Sequence, residues 1–94
     1  MIEADVEDYA RKEIAKAGGK IRKVKWIGRR AAPDDFVLLP GVGRGIWVEF
    51  KKPGEKPTAA QLEEHRILRK YGERVEVIDS IAAVDSLLAE VRCF

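Results

Sequence analysis

Residues 33–52 read PDDFVLLPGVGRGIWVEFKK, and this stretch restricts the fold more than any other part of the chain. Phe36–Leu39 and Gly45–Lys51 are short runs rich in β-branched and aromatic residues, joined by the turn-rich stretch Pro40-Gly41-Val42-Gly43-Arg44 of hairpin length. Two adjacent strands are expected. Alternation along the second sends Ile46, Val48 and Phe50 to one side and Trp47, Glu49 and Lys51 to the other. Glu and Lys resist full burial unless paired or bound to a metal, so an ordinary core strand would not carry them. An Asp at the start of the first strand, Asp34 or Asp35, lies near Glu49 if the hairpin pairs in a suitable register.

The flanking sequence supplies helices and two more strands. Ile2, Val6, Tyr9, Ala10, Ile14 and Ala17 recur at helical spacing, acidic residues crowd the first turns, and Gly18-Gly19 closes the segment, giving a helix over residues 2–17. Lys20–Ile27 reads as a strand and Gly28–Pro33 as a loop. Thr58-Ala-Ala-Gln61 is a capping box that opens a helix running to Tyr71 and ending at Gly72. Arg74–Ile78 reads as a fourth strand, and Ser80 opens a last helix carrying Ile81, Val84, Leu87, Leu88 and Val91. The element order is αβββαβα, and no linker or repeat divides the 94 residues, which form one α/β domain over 1–94.

Composition narrows the function classes. The 46% hydrophobic and 36% charged content is that of a soluble globular protein, and one small core leaves room for a homodimer that hides more apolar area. The formal charge is only +2, yet it is unevenly spread: KIRKVKWIGRR, Lys20–Arg30, has six basic residues and no acid, whereas residues 1–8 hold Glu3, Asp5, Glu7 and Asp8 and no base. The single Cys93 excludes an intrachain disulfide and a cysteine zinc site and suits a reducing cytosol. No apolar run approaches a membrane span, and the acidic start is no signal peptide, so a cytoplasmic location is expected.

Two carboxylates held close repel each other, and a hard cation such as Mg²⁺, which takes oxygen ligands, is the commonest reason to tolerate them. A lysine beside that cation can orient or deprotonate a water or stabilise charge on a phosphate. Together these groups describe metal-assisted phosphodiester hydrolysis.

Pro33-Asp34 followed by Glu49-Phe50-Lys51 resembles the PD-(D/E)xK nuclease superfamily. The wider set resembles its VRR-NUC (virus-type replication-repair nuclease) branch: an early helix-one Glu, the Gly18-Gly19 break, GRRAAPDDFVLLPG, VEFKKPGEKPTAAQ, and the Leu68, Gly72 spacing before a short strand. The resemblance covers nearly the whole chain. It implies a restriction-endonuclease-like core with a central mixed sheet flanked by helices. Asp34 and Glu49 would be ligands of Mg²⁺ or Mn²⁺, Lys51 the catalytic lysine, and Glu3, preferred to Glu7, a further carboxylate from helix one. Gln61 would touch the catalytic centre or the substrate backbone. The implied activity is a structure-selective DNA endonuclease acting on flaps or four-way junctions, with in-line attack leaving a 5′-phosphate and a 3′-hydroxyl. So short a stand-alone domain looks like the phage or prophage form, expected in a bacterial host cell, which would suit a homodimer presenting two active sites to a symmetric junction. The sequence departs from the family in reading APDD where Gly often precedes Pro and a single Asp follows.

Each signal also has a plain structural explanation. Glu49 with Lys51 is the pattern of a solvated cross-strand pair, and Asp35 is read as a turn residue after proline. The helix-one acids satisfy the helix dipole, and Gln61 completes its capping box. His65 is read as a half-buried packing residue, outside the metal site. Trp26 and Trp47 are assigned to the core or a dimer interface. The basic run could simply protect a sheet edge, but phosphate contact by Arg29, Arg30, Lys23, Lys25 and Lys52 is the preferred reading. The rival class is a non-catalytic DNA-binding module that keeps the fold and the basic run; nuclease action on RNA or single strands is a third possibility.

Overall fold

The computed structural model describes residues 1–91, so Cys93 lies outside the described residues. The elements are α1 (Glu3–Lys16), β1 (Lys20–Lys23), β2 (Asp35–Leu38), β3 (Ile46–Phe50), α2 (Ala59–Lys70), β4 (Arg74–Ile78) and α3 (Ile81–Val91), in the expected αβββαβα order.

Local chemistry sets the helix ends. The Ile2 backbone N–H donates to Asp5 Oδ2 at 2.8 Å at the start of α1. At its end Gly18 takes φ 81°, where Gly19 N donates to Ile14 O and Gly18 N to Ala15 O, a Schellman closure that leads straight into β1. The Thr58–Gln61 capping box is made at both bonds, 3.0 and 3.1 Å. Ser80 Oγ accepts from Ala83 N at 3.0 Å and opens α3.

The four strands form one mixed sheet in the order β1-β2-β3-β4. The first three run antiparallel, and β4, reached through α2, lies parallel to β3. One sheet face contributes Val37, Ile46, Val48, Phe50 and Ile78 to a core completed by Val6, Ala10 and Ile14 of α1 and Val84, Leu87, Leu88 and Val91 of α3. Helix α2 covers the β3–β4 half of the opposite face, where Trp47, Glu49, Val75 and Val77 point.

Strand β1 is shorter than its alternating sequence predicts, ending at Lys23 instead of Ile27. Trp26 is the reason. Its ring packs at a tilt against Trp47, with centroids 5.1 Å apart and planes at 46°, and its Nε1 donates to Pro33 O at 2.7 Å. Satisfying both contacts turns the chain off the sheet edge, and residues 24–34 become a loop. The last ladder-like bond, Val24 N to Asp34 O at 2.8 Å, pins the far end of that loop.

Candidate active site

The β2–β3 register pairs Asp35 with Val48 and Phe36 with Trp47, so one step further Asp34 stands opposite Glu49. Residues opposite each other in an antiparallel pair share a face, with Cβ atoms roughly 4.5–5.5 Å apart. Asp34 and Glu49 therefore face the same side, and Lys51, two residues on from Glu49, follows them. Lys51 and Glu49 are each only 9% exposed, whereas Asp34 is open to solvent.

This grouping is electrostatically unbalanced. Burial first, and then repulsion from Asp34, Glu3 and Asp35, pushes the Glu49 carboxyl up to about 7 against the opposing pull of the Lys51 ammonium. Glu3, exposed at the first turn of α1, is thus within electrostatic reach of Glu49. Glu7 is occupied elsewhere, at 3.1 Å from both Arg11 and Lys23.

Asp35 behaves differently from the turn residue expected. It is the first residue of β2, 1% exposed, and points to the core face with Lys23 Nζ 3.1 Å from its Oδ2. Its place in an internal network with Lys23, Glu7 and Arg11 answers how a second aspartate is tolerated: a buried charge requires partners. Burial still dominates and holds the Asp35 carboxyl at about 6, with Lys23 opposing and Glu7 and Asp34 reinforcing the rise. Lys23 is consequently bonded into the fold, as Arg29 is through Glu64, unlike Lys25, Arg30 and Lys52.

Lys25, Arg29 and Arg30 line the approach to Asp34. A cleft of about 420 Å³ is bounded by Lys23, Lys25, Trp26, Arg29, Arg30 and Asp34. Lys25 and Arg30 are exposed, and Arg29 is ion-paired with Glu64 of α2. Lys52 is exposed just beyond β3. Gln61 has its side-chain oxygen committed to the Thr58 cap, which leaves its amide N–H₂ outside the capping bonds.

The residue not expected here is His65. It is wholly buried, not half-buried, and its Nε2 lies 3.3 Å from Glu49 Oε1. Burial, with Arg69 and Lys51 nearby, lowers its pKa and keeps the ring neutral at neutral pH. The available signal was positional: His65 is one helical turn after Gln61, on the α2 face turned toward β3.

Among the described residues, no three carboxylate, histidine or cysteine side chains converge as a ready cage for an ion. What is present is a pair of facing carboxylates, one pushed toward neutrality by its surroundings. Oxygen donors of this number fit Mg²⁺ or Mn²⁺, which retain several waters and use one or two carboxylates, and they fit zinc poorly.

A four-stranded mixed sheet with helices on both faces, carrying an Asp and a Glu-x-Lys on adjacent strands beside a basic cleft, defines a nuclease-type α/β domain. Comparison with known proteins makes the assignment specific. The chain is 46% identical over 78 residues, 83% of either protein, to "Putative nuclease p44" of Acyrthosiphon pisum secondary endosymbiont phage 1. A solved VRR-NUC domain is 40% identical, superposes with a TM-score of 0.83, and is matched over 93% of this chain and 94% of its own. No family model matches. The chain belongs to the VRR-NUC nuclease family. No helix among the described residues is long and apolar enough to cross a membrane.

Proposed function

We propose that this protein is a Mg²⁺- or Mn²⁺-dependent, structure-selective DNA endonuclease that cuts branched DNA such as flaps or four-way junctions. The observation that carries the reading is Asp34 standing opposite Glu49, with Lys51 on the same face and the Lys25, Arg29, Arg30 cleft leading to them.

Asp34 and Glu49 would hold the cation, with Glu3 as a further carboxylate from α1. A bound divalent ion supplies Lewis-acid polarisation of the scissile phosphate and lowers the pKa of water beside it. Lys51 then presents an ammonium to the attacking water and to charge developing on the phosphate, in a half-enclosed site that strengthens the interaction. Lys25, Arg30 and Lys52 bind backbone phosphates, which fixes orientation without reading sequence. Arg29 joins them by exchanging Glu64 for a phosphate. The amide N–H₂ of Gln61 is the donor it offers toward the catalytic centre. A homodimer with two such sites suits a symmetric junction and the small size of the chain. A monomeric mass by light scattering at micromolar concentration would remove that element.

The test is cleavage of end-labelled flap, four-way junction, duplex and single-stranded DNA with Mg²⁺, Mn²⁺ or EDTA, for wild type and Lys51→Ala. Metal-dependent cutting of branched DNA, lost in the variant, is expected. Binding of these DNAs without cleavage by either metal would instead make the chain a DNA-binding module.

A further inference from the structure

Glu49 has the strand position of a ligand, yet a long carboxylate on a strand has three side-chain torsions and no intrinsic reason to keep one orientation. The structure contains a group suited to fix it. His65 is fully buried, its Nε2 is 3.3 Å from Glu49 Oε1, and its Nδ1 is buried without a hydrogen-bond partner among the described residues. A ring that served packing alone would gain nothing from directing one nitrogen at a carboxylate.

With Glu49 ionised, the orphaned nitrogen also identifies the tautomer. A neutral imidazole has one N–H and one bare lone pair. With the proton on Nε2, the N–H meets a carboxylate oxygen and only an acceptor goes unpaired. With the proton on Nδ1, a buried N–H would go unsatisfied while Nε2 opposed the ionised Glu49 oxygen lone pair with lone pair. The ring is carried by a helix fixed at both ends. Thr58 and Gln61 cap its start, and at its finish Glu73 N donates to Leu68 O and Gly72 N to Arg69 O.

Resting on the function proposed above, we infer that His65 is a positioning residue: its Nε2–H holds Glu49 Oε1 and leaves the second carboxylate oxygen aimed at the divalent cation. Outer hydrogen bonds of this kind orient the ligand and typically change metal affinity by about 10–100-fold.

Two measurements test this. His65 is the single histidine of the chain, so a long-range ¹H–¹⁵N spectrum of metal-free protein without a histidine tag contains one imidazole. In alkaline buffer, where Glu49 is ionised, the Nε2–H form is expected, with its ¹⁵N and ¹H shifts moving in Glu49→Gln. An Nδ1–H ring, or a ring insensitive to Glu49→Gln, would overturn the inference. In parallel, Mn²⁺ affinity is measured by calorimetry and electron paramagnetic resonance for wild type, His65→Phe and His65→Gln. His65→Phe should bind Mn²⁺ about 10–100-fold more weakly, and His65→Gln, whose amide nitrogen can donate from about the Nε2 position, should recover most of that loss. Folded His65→Phe with wild-type affinity would sink the positioning role alone. Should His65→Phe not fold, His65→Gln and the imidazole spectrum still decide. A wild type that takes up no Mn²⁺ would bring down the nuclease proposal itself, and this inference with it.

Discussion

Asp34 and Asp35 are chain neighbours with opposite surroundings. Asp35 turns to the core face, where Lys23, Arg11 and Glu7 enclose it in a network of alternating charge. Asp34 turns to the other face, toward Glu49, within a set of acids answered mainly by Lys51. Both faces belong to one hairpin and differ by a single step of the pleat. The difference teaches that charge in a small domain serves the fold where it is locally balanced. Where the same fold gathers Asp34, Glu49 and Glu3 around Lys51, the function proposed above supplies a divalent cation as the further partner.

The largest effect should come from breaking the uncompensated side. Asp34→Asn is expected to lower DNA cleavage by about 10²–10³-fold, the range for losing one group that stabilises transition-state charge, with folding stability unchanged or slightly higher because repulsion on Glu49 falls. Single-turnover cleavage and urea unfolding check the two halves; an active Asp34→Asn would contradict its assignment.

The compensated side should respond in stability instead. Lys23→Met leaves Asp35 buried beside Glu7 without its cation, and should cost about 1–2 kcal/mol in urea unfolding at pH 7.5, an amount kept low because Lys23 is more than half exposed. The loss should largely vanish near pH 5, where Asp35 is protonated.

A pH series sharpens the contrast. Glu49 titrates at about 7 in the fold against an ordinary 4.5, and Asp35 at about 6 against 3.8. Because both folded values lie above the unfolded ones, the folded state binds more protons in between, and stability in EDTA should fall as pH rises from about 4 to 7. Mg²⁺ should flatten the upper part of that slope, from Glu49, and leave the lower part from Asp35. Thermal melts with and without Mg²⁺ measure this, and an identical slope in both would remove Glu49 from the cation site.

The smallest effect concerns the loop between them. Trp26→Phe keeps the ring on Trp47 but loses the bond to Pro33 O, and should cost about 0.5–1.5 kcal/mol. Cleavage should weaken more through KM for DNA than through kcat, since Lys25, Arg29 and Arg30 share that loop. Equal KM values for variant and wild type would show that the Pro33 bond does not order the cleft.

Much of this was legible in the sequence because it depends on local codes. The capping box at Thr58, the glycine stops and the period-two alternation of IWVEF gave the element order, and the place of Asp34 after Pro33 ranked it above Asp35. Alternation alone could not end β1 at Lys23, since that needs the Trp26 indole to find Trp47 and Pro33 O. Asp35 was misread as a turn residue because its compensating cation, Lys23, and Glu7 come from other elements. His65 was underestimated for the same reason: its partner lies 16 residues away across a helix–sheet contact, and its place one turn after Gln61 was the one local sign of it.

Gly45, just before β3, lies against the Phe36 ring so closely that any Cβ there would run into it. Phe36 packs against Trp47, Trp47 against Trp26, and Trp26 grips the carbonyl just ahead of Asp34. A genetic screen for inactive clones should therefore return Gly45 alleles alongside the charged ones. These would be heat-sensitive lesions, away from Asp34, Glu49 and Lys51, that disable the enzyme by displacing three rings in succession.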